Sequence, residues 1–352
     1  MPYRFKIDEP VEKGFRRIAR EQVEAALAEL AAEEIKPTGV HECRKALKRL
    51  RALIRLAGPA IGDGKARRQI KALGEIAGLL SERRDQAVML QTLGKLAADG
   101  GPAAADLLAP LRAHLVGRSG EEAEPLDRVR AAQARLRLLR EAKKLSHTRF
   151  RRRGFAALEG GLQKCYRQGR KALKDAYNEP TDEAFHSLRK AVQWHWRQMS
   201  LLARAWPEEF AVRVAAAREL SQMLGDDHDL ALLTGAAISV EDLSEESKEA
   251  IVALCQRRQR HLRAAAEHRA SRLFAETPKA FIRRMRAYWQ FGREIDVRFE
   301  VQPAAHPEPH LVLPAGHAAA EAEPAPPAAK SVASKPKLAA TTAAQPASQR
   351  RA

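Results

Sequence analysis

The sequence predicts an all-α protein in which one helical bundle is made twice. Apolar residues recur at three- and four-residue spacing from Val11 to Trp289, strong helix formers dominate, and two-residue alternation is scarce. Gly and Pro punctuate that stretch at intervals suited to helices rather than strands. Two short patterns also occur twice, in the same order. Val40-His41-Glu42-Cys43-Arg44-Lys45 returns as Phe185-His186-Ser187-Leu188-Arg189-Lys190. Glu75-Ile76-x-x-Leu79-Leu80-Ser81-x-x-Arg84-Asp85-x-Ala87-Val88 is answered by Glu219-Leu220-x-x-Met223-Leu224-Gly225-x-x-His228-Asp229-x-Ala231-Leu232. His41 and Asp85 are 44 positions apart, and His186 and Asp229 are 43 apart.

Breaks at Lys36-Pro37-Thr38-Gly39, Gly58-Pro59, Gly62-Asp63-Gly64, Gly100-Gly101-Pro102, Asn178-Glu179-Pro180-Thr181, Trp206-Pro207 and Thr277-Pro278 cut the chain into helices. The first, near 11–35, opens with a basic run from Lys13 to Arg20, and Gly14-Phe15-x-Arg17-x-x-Arg20 resembles Gly161-Leu162-x-Lys164-x-x-Arg167 in the helix near 155–178. These segments lie 27 and 25 residues before His41 and His186. The His helices follow near 40–57 and 182–205, the second opened by N-cap chemistry at Thr181 and Asp182. An Asp-bearing helix comes next in each half, near 65–98 and 208–239. Helices near 103–116 and 126–153 complete the first half, and those near 244–275 and 278–291 the second. The halves span about 5–150 and 151–300, each a bundle of about 140 residues. Residues 301–352 are rich in Ala and Pro with no hydrophobic period, which predicts a disordered tail.

The formal charge is +18 with a pI near 10.2, and about +16 of it falls on residues 1–301. The excess therefore belongs to the folded part, which predicts attraction to polyanions that weakens with salt. Cys43, Cys165 and Cys255 form no C-x-x-C pair and fit reduced, buried thiols in a cytoplasmic chain. The N-terminus has no apolar core of a signal peptide and no 18-residue apolar run occurs, so neither secretion nor a membrane span is expected.

The chemistry concentrates on the His helices. His41, Arg44, Lys45 and Lys48 share one stripe that Arg55 continues, with Arg51 on its flank. His186, Arg189, Lys190 and Arg197 make the equivalent stripe, interrupted by Gln193 and Trp194. The opposite faces carry Leu47, Leu50 and Ile54 in one copy, and Leu188, Val192 and Met199 in the other. A solvated basic face explains one such helix, but it gives no reason for H-x-x-R-K to recur, whereas a shared anion site does. Arg forks match phosphate oxygens, Lys adds a mobile charge, and His donates a hydrogen bond or gains charge near neutrality.

Asp85 and Asp229 are expected to stand behind the cations, relieving their mutual repulsion and fixing guanidinium rotamers. Glu75 and Glu219 either share that work or face solvent. His228-Asp229 bears a superficial likeness to metal phosphohydrolase motifs, but further His and Asp ligands are not placed. A phosphotransfer histidine would not need so long a basic stripe, and cationic neighbours would repel a divalent metal. No catalytic residue, metal or cofactor is therefore expected. Arg149-Phe150-Arg151-Arg152-Arg153 and Arg257-Arg258-Gln259-Arg260-His261-Leu262-Arg263 read as solvated helix surface, or as an extension of the polyanion track if Arg260 and Arg263 turn inward.

The paired His helices, the two Asp segments and the ending Leu273-Phe274-Ala275-Glu276-Thr277-Pro278-Lys279-Ala280-Phe281-Ile282-Arg283-Arg284-Met285-Arg286-Ala287-Tyr288-Trp289 together resemble the CHAD family, the conserved-histidine α-helical domain, over residues 5–295. The resemblance implies a pair of antiparallel four-helix bundles with pseudo-twofold symmetry around a basic central cavity that binds inorganic polyphosphate. Members of the family commonly associate with polyphosphate granules, and that location is expected here. By the same resemblance, His41, Arg44, Lys45, Lys48 and Arg51 form the first basic helix, and His186, Arg189, Lys190 and Arg197 the second. Arg17, Arg20, Lys164 and Arg167 add basic positions from the preceding helices. Two departures stand out: Gln193-Trp194-His195-Trp196 replaces a more basic run, and Arg84 stands where the second copy has His228. Many relatives carry an N-terminal triphosphate-hydrolase (CYTH) domain with an E-x-E-x-K strand. No such motif occurs here, so no hydrolase activity is expected. The alternative reading is non-specific nucleic-acid binding through phosphate contacts. Only four Trp and four Tyr are present, few of them in the basic stripes, which leaves little platform for bases.

Overall fold

The computed structural model describes residues 3–31, 35–80, 84–119 and 128–299, without the side chains of 37, 84–87, 118–119 and 296–299. Among the described residues the chain is all-α. Ten α-helices follow one another: α1 (Val11–Glu29), α2 (Pro37–Ile61), α3 (Asp63–Leu79), α4 (Arg84–Ser119), α5 (Arg128–Ser146), α6 (Ala156–Asn178), α7 (Asp182–Leu202), α8 (Pro207–Ser239), α9 (Glu245–Leu273) and α10 (Pro278–Phe299). A 3-10 turn at Ala203–Ala205 separates α7 from α8. The segment predicted as a tail lies outside the described residues.

Local chemistry explains most boundaries. Thr181 caps α7, its hydroxyl accepting from the Ala184 amide at 3.2 Å, and Asp182 and Glu183 put negative charge in the first turn. Pro207 opens α8 at a position where no backbone donor is needed. Two boundaries differ from the expectation. Gly58-Pro59 does not end α2: Pro59 lies inside the helix, where it gives up the backbone bond to the Arg55 carbonyl, and Gly62, at φ +95°, ends it. The single helix expected near 65–98 is two helices, with Leu80 buried at the end of α3. The break expected at Gly100-Gly101-Pro102 is present: Gly101, at φ +72°, interrupts the helical path within α4. The Arg149–Arg153 run is a non-helical link rather than helix surface: Phe150 donates its amide to Glu12 (2.9 Å), and Arg151 donates its amide to the Ala60 carbonyl (2.9 Å).

α1, α2, α3 and α5 pack as one group, α2 and α5 each touching both α1 and α3. α6, α7, α8 and α9 pack in succession, with α10 against α6. The apolar stripes of the His helices are fully buried, Leu47, Leu50 and Ile54 on α2 and Leu188, Val192 and Met199 on α7. α2 also lies against α6 and α7, so the two groups share this core. At the crossing of α2 and α6, Gly161 lets the backbones nearly touch; a Cβ there would fall 1.9 Å from the Leu56 carbonyl oxygen. The N-terminal segment seals the core, with Phe5 fully buried, its amide on the Leu201 carbonyl (2.9 Å) and its ring edge-on to Trp289.

α4 behaves differently. It packs on α8 and α9 and builds a second core, in which Leu93, Leu108 and Leu111 meet Leu233, Val240 and Ile251. Ion pairs from Lys95 to Asp226 (3.1 Å) and from Arg258 to Asp99 (2.9 Å) reinforce this docking. Among the described residues no helix is long and apolar enough to cross a membrane.

Candidate functional site

A cavity of about 280 Å³ opens where α2, α7 and α8 meet. α2 contributes Arg44, Lys48 and Arg51, which lie four and seven residues apart on the face opposite its buried Leu stripe. α7 contributes His186, Arg189, Lys190, Gln193, Trp194 and Arg197, one continuous helical stripe. His228, Asp229 and Leu232 come from α8, and Val88 from α4. Gln193 and Trp194, which looked like an interruption in the sequence, are therefore part of the wall. Their offsets of seven and eight residues from His186 were the signal. Arg55 stands one turn beyond Arg51 and lays its guanidinium on the Trp194 indole, 3.7 Å from the ring centre.

The other sequence-predicted residues stand outside this wall. Arg17 is spent within its own helix region: it donates to Glu9, Glu21 (3.0 Å) and the Arg4 carbonyl (3.0 Å), and the hydrogen bond to Glu9 holds its guanidinium well above its ordinary basicity. Arg20 is exposed beside Glu24 at 3.8 Å. Lys164 is 3.6 Å from Asp63, and Arg167 is exposed on α6. His41 is exposed at the start of α2, and Lys45 pairs with Glu42 at 3.1 Å. Glu75 is exposed, as is Glu219, which pairs with Arg269 at 2.7 Å. The side chain of Asp85 lies outside the described residues.

Within the cavity cations outnumber carboxylates, and burial sharpens the imbalance. Arg44 donates to the Ala77 carbonyl at 3.0 Å, and Arg189 lies 3.9 Å from Asp229. Arg197 is 6% exposed and rests on the Trp196 ring at 4.2 Å, with Nη1 on the Gln193 carbonyl at 2.8 Å. Burial, aided by Arg49, Arg218 and Arg51, pulls its guanidinium down to about 10. Burial also lowers Arg51 and Arg55. The Nε atoms of Arg51, Arg55 and Arg197 are all buried without a hydrogen-bond partner. A buried donor left in that state costs about 1–3 kcal/mol, so the arrangement favours an acceptor-rich anion.

His186 and His228 stack across the α7–α8 seam, ring centres 4.3 Å apart and planes 29° from parallel. Burial and then the charge of Lys190 push His186 down to about 4. His228 is lowered too, by burial and Arg189, against the opposing pull of Asp229. Both rings are thus neutral at pH 7 and act as hydrogen-bonding groups until an anion arrives. Among the described residues no group of three or more His, Cys, Asp or Glu is arranged to hold a metal ion.

The CHAD domain profile matches residues 17–238, well over half of the chain. The chain belongs to the CHAD family. The matched span contains α2, α7 and the cavity-lining part of α8, so every residue of the cavity wall is CHAD sequence. Two solved chains are similar, among them PptA from Streptomyces chartreusis, at 17% identity over 76% of this chain and 100% of that one, with a TM-score of 0.49. No curated protein matches.

Proposed function

We propose that this protein binds inorganic polyphosphate in the cavity between α2, α7 and α8, as a binder rather than an enzyme. The observation that carries the reading is the convergence of two cationic helix faces on one cavity, where the buried guanidinium Nε atoms of Arg51 and Arg197 in the wall, and of Arg55 beside it, lack an acceptor. Phosphate oxygens supply acceptors at the density such a wall needs, and a phosphate chain has no bases to accommodate. Membership of the CHAD family is consistent with this ligand and with residence on polyphosphate granules. Against nucleic acid, the one indole of the wall, Trp194, already has a face covered by Arg55, which leaves little for base stacking. The two halves of the wall carry the twice-occurring sequence pattern, and we read them as a duplicated anion grip.

The decisive experiment is Arg44→Glu combined with Arg189→Glu. Retention of polyphosphate of defined length is expected to vanish, with helicity by circular dichroism unchanged; undiminished binding in the folded double variant would remove the assignment. Short polyphosphate should displace RNA at far lower phosphate equivalents, and the reverse order would favour the nucleic-acid reading. No phosphate release is expected from polyphosphate or triphosphate with Mg²⁺ or Mn²⁺.

A further inference from the structure

Arg263 is one of the basic residues of α9 that the sequence offered as surface or as track, and it is neither. Its Nε donates to Asp227 Oδ1 at 2.6 Å and its Nη2 to Asp182 Oδ1. The guanidinium lies over the Phe185 ring at 4.3 Å, and its backbone carbonyl accepts from the Tyr177 hydroxyl at 2.6 Å. Gln259, one turn earlier, donates to the Asp227 carbonyl at 3.1 Å. Asp227 is 2% exposed, which makes it one of the few buried carboxylates. Burial alone raises its carboxyl, and the Arg263 fork pulls it back.

The sequence positions of these partners give the arrangement its meaning. Phe185 precedes His186, Asp182 lies one turn before it, and Asp227 precedes His228. One guanidinium on α9 therefore grips α7 and α8 beside the stacked imidazoles. We propose that Arg263 is a positioning residue for the cavity: by tying Asp182 to Asp227 it fixes α7 against α8 and holds His186 flat on His228. It touches no ligand itself, since it lies outside the cavity wall.

The same residue governs the charge that the histidines feel. On α7, Asp182, Glu183, Arg189 and Lys190 act on the pair, and on α8 Asp227 and Asp229 lie next to it in the chain. From α2, Arg44 and Lys48 share the cavity. Arg263 offsets two of the nearby carboxylates, so that Asp182 does not pull His228 fully towards its charged form. Without Arg263 the rings part and His228 becomes more basic.

The test uses the ligand-free full-length chain first, so it does not depend on the polyphosphate reading. NMR on the imidazole Cε1 protons reports both the ring-current shift each histidine imposes on the other and its titration. In Arg263→Met, which keeps apolar cover over Phe185, the ring-current shift should shrink and His228 should titrate at higher pH; Arg263→Lys should restore part of both. Asp182→Asn removes one arm of the clamp at an exposed residue together with a carboxylate that favours the charged form of His228, so the ring-current shift should shrink while His228 titrates at lower pH, the opposite direction from Arg263→Met. Binding of long-chain polyphosphate should then weaken roughly fivefold in Arg263→Met, the scale of remote positioning effects. Unchanged ring-current shifts in both Arg263→Met and Asp182→Asn overturn the proposal. A parent chain that fails to bind polyphosphate overturns the function and leaves the clamp standing on its NMR result.

Discussion

The two cationic faces of the cavity carry the same H-x-x-R-K pattern and live in different surroundings. On α2 the histidine is exposed, and Arg51 and Arg55, like Arg197 on α7, have no acceptor for their buried Nε atoms. On α7 the histidine is stacked on a second imidazole, Arg189 lies near Asp229, and Arg197 is sunk among Arg49, Arg51 and Arg218. A repeated sequence thus yields one face that presents charge and one in which charge is regulated by what packs behind it. The difference teaches that the α2 face should supply most of the raw attraction and the α7 face most of the sensitivity to conditions.

The largest expected effect separates the faces directly. Arg51→Gln removes a cavity-lining guanidinium whose buried Nε lacks an acceptor, and should cost about 1.5–3 kcal/mol of polyphosphate binding, a loss of roughly 10- to 150-fold. Arg189→Gln removes one already shared with Asp229 and should cost about half that free energy. Titration calorimetry at two salt concentrations measures both, and each variant should also flatten the salt dependence. Equal losses would break the comparison.

A second prediction probes the sensitivity of α7. Because His186 is held neutral down to about pH 4 in the free protein, a bound polyanion raises its basicity and the complex takes up a proton. Affinity for a long polymer, whose internal phosphates keep their charge, should therefore rise as pH falls from 7 towards 4, by at most about tenfold per pH unit for each proton taken up. His186→Gln should take away most of that rise. Calorimetry in buffers of different ionisation enthalpy counts the protons, and a slope that survives the substitution would place the proton uptake elsewhere.

Much of this was legible in the sequence, and the reasons are physical. Helical period alone put His41, Arg44, Lys45 and Lys48 on one stripe of α2, Arg51 on its flank and Leu47, Leu50 and Ile54 opposite; the buried face proves to be the apolar one, and Arg44, Lys48 and Arg51 line the cavity while His41 and Lys45 do not. The Thr181 cap was readable because it acts within one turn. What was hidden depends on partners distant in sequence or on the end of a helix. Arg17 looked like Arg44 on the page, yet Glu9 and Glu21 consume it. Trp194 looked like a gap until Arg55, on another helix, settled on its ring. The departure of α4 to α8 and α9 was invisible too, since its Leu positions fit any apolar neighbour equally well.

The inner face of α7 allows a third test, on stability rather than binding. His195 is 1% exposed between Tyr166, Phe274 and Phe281, with neither ring nitrogen hydrogen-bonded, and burial holds it down to about 3. The unfolded chain binds a proton there near pH 6.5 and the folded chain does not, so folding stability falls as pH drops from about 6.5 towards 3. His195→Leu should raise stability at pH 7 by about 1 kcal/mol and flatten that decline, both read from urea melts across the range. Polyphosphate affinity should not change, because His195 lies on the face of α7 opposite the one that carries His186 and lines the cavity.

The smallest effect is the most diagnostic of how closely α8 supports the cationic face. Gly225 faces Arg189, and a Cβ at that position would stand 3.3 Å from Nη2, tight enough to shift the guanidinium by a few tenths of an ångström. In Gly225→Ala the helix itself gains, by about 0.5–1 kcal/mol, because alanine loses less backbone freedom on folding. The displaced Arg189 should meanwhile bind polyphosphate about two- to threefold more weakly, a change of under 1 kcal/mol. Melting temperature and affinity are thus expected to move in opposite directions in one variant. On the α2 side the corresponding glycine is Gly74 of α3, where a Cβ would stand 4.0 Å from Arg51 Cζ, an ordinary contact, so an alanine there carries no such cost; if Gly225→Ala raised both stability and affinity, Arg189 would not be held by the packing of α8 at all.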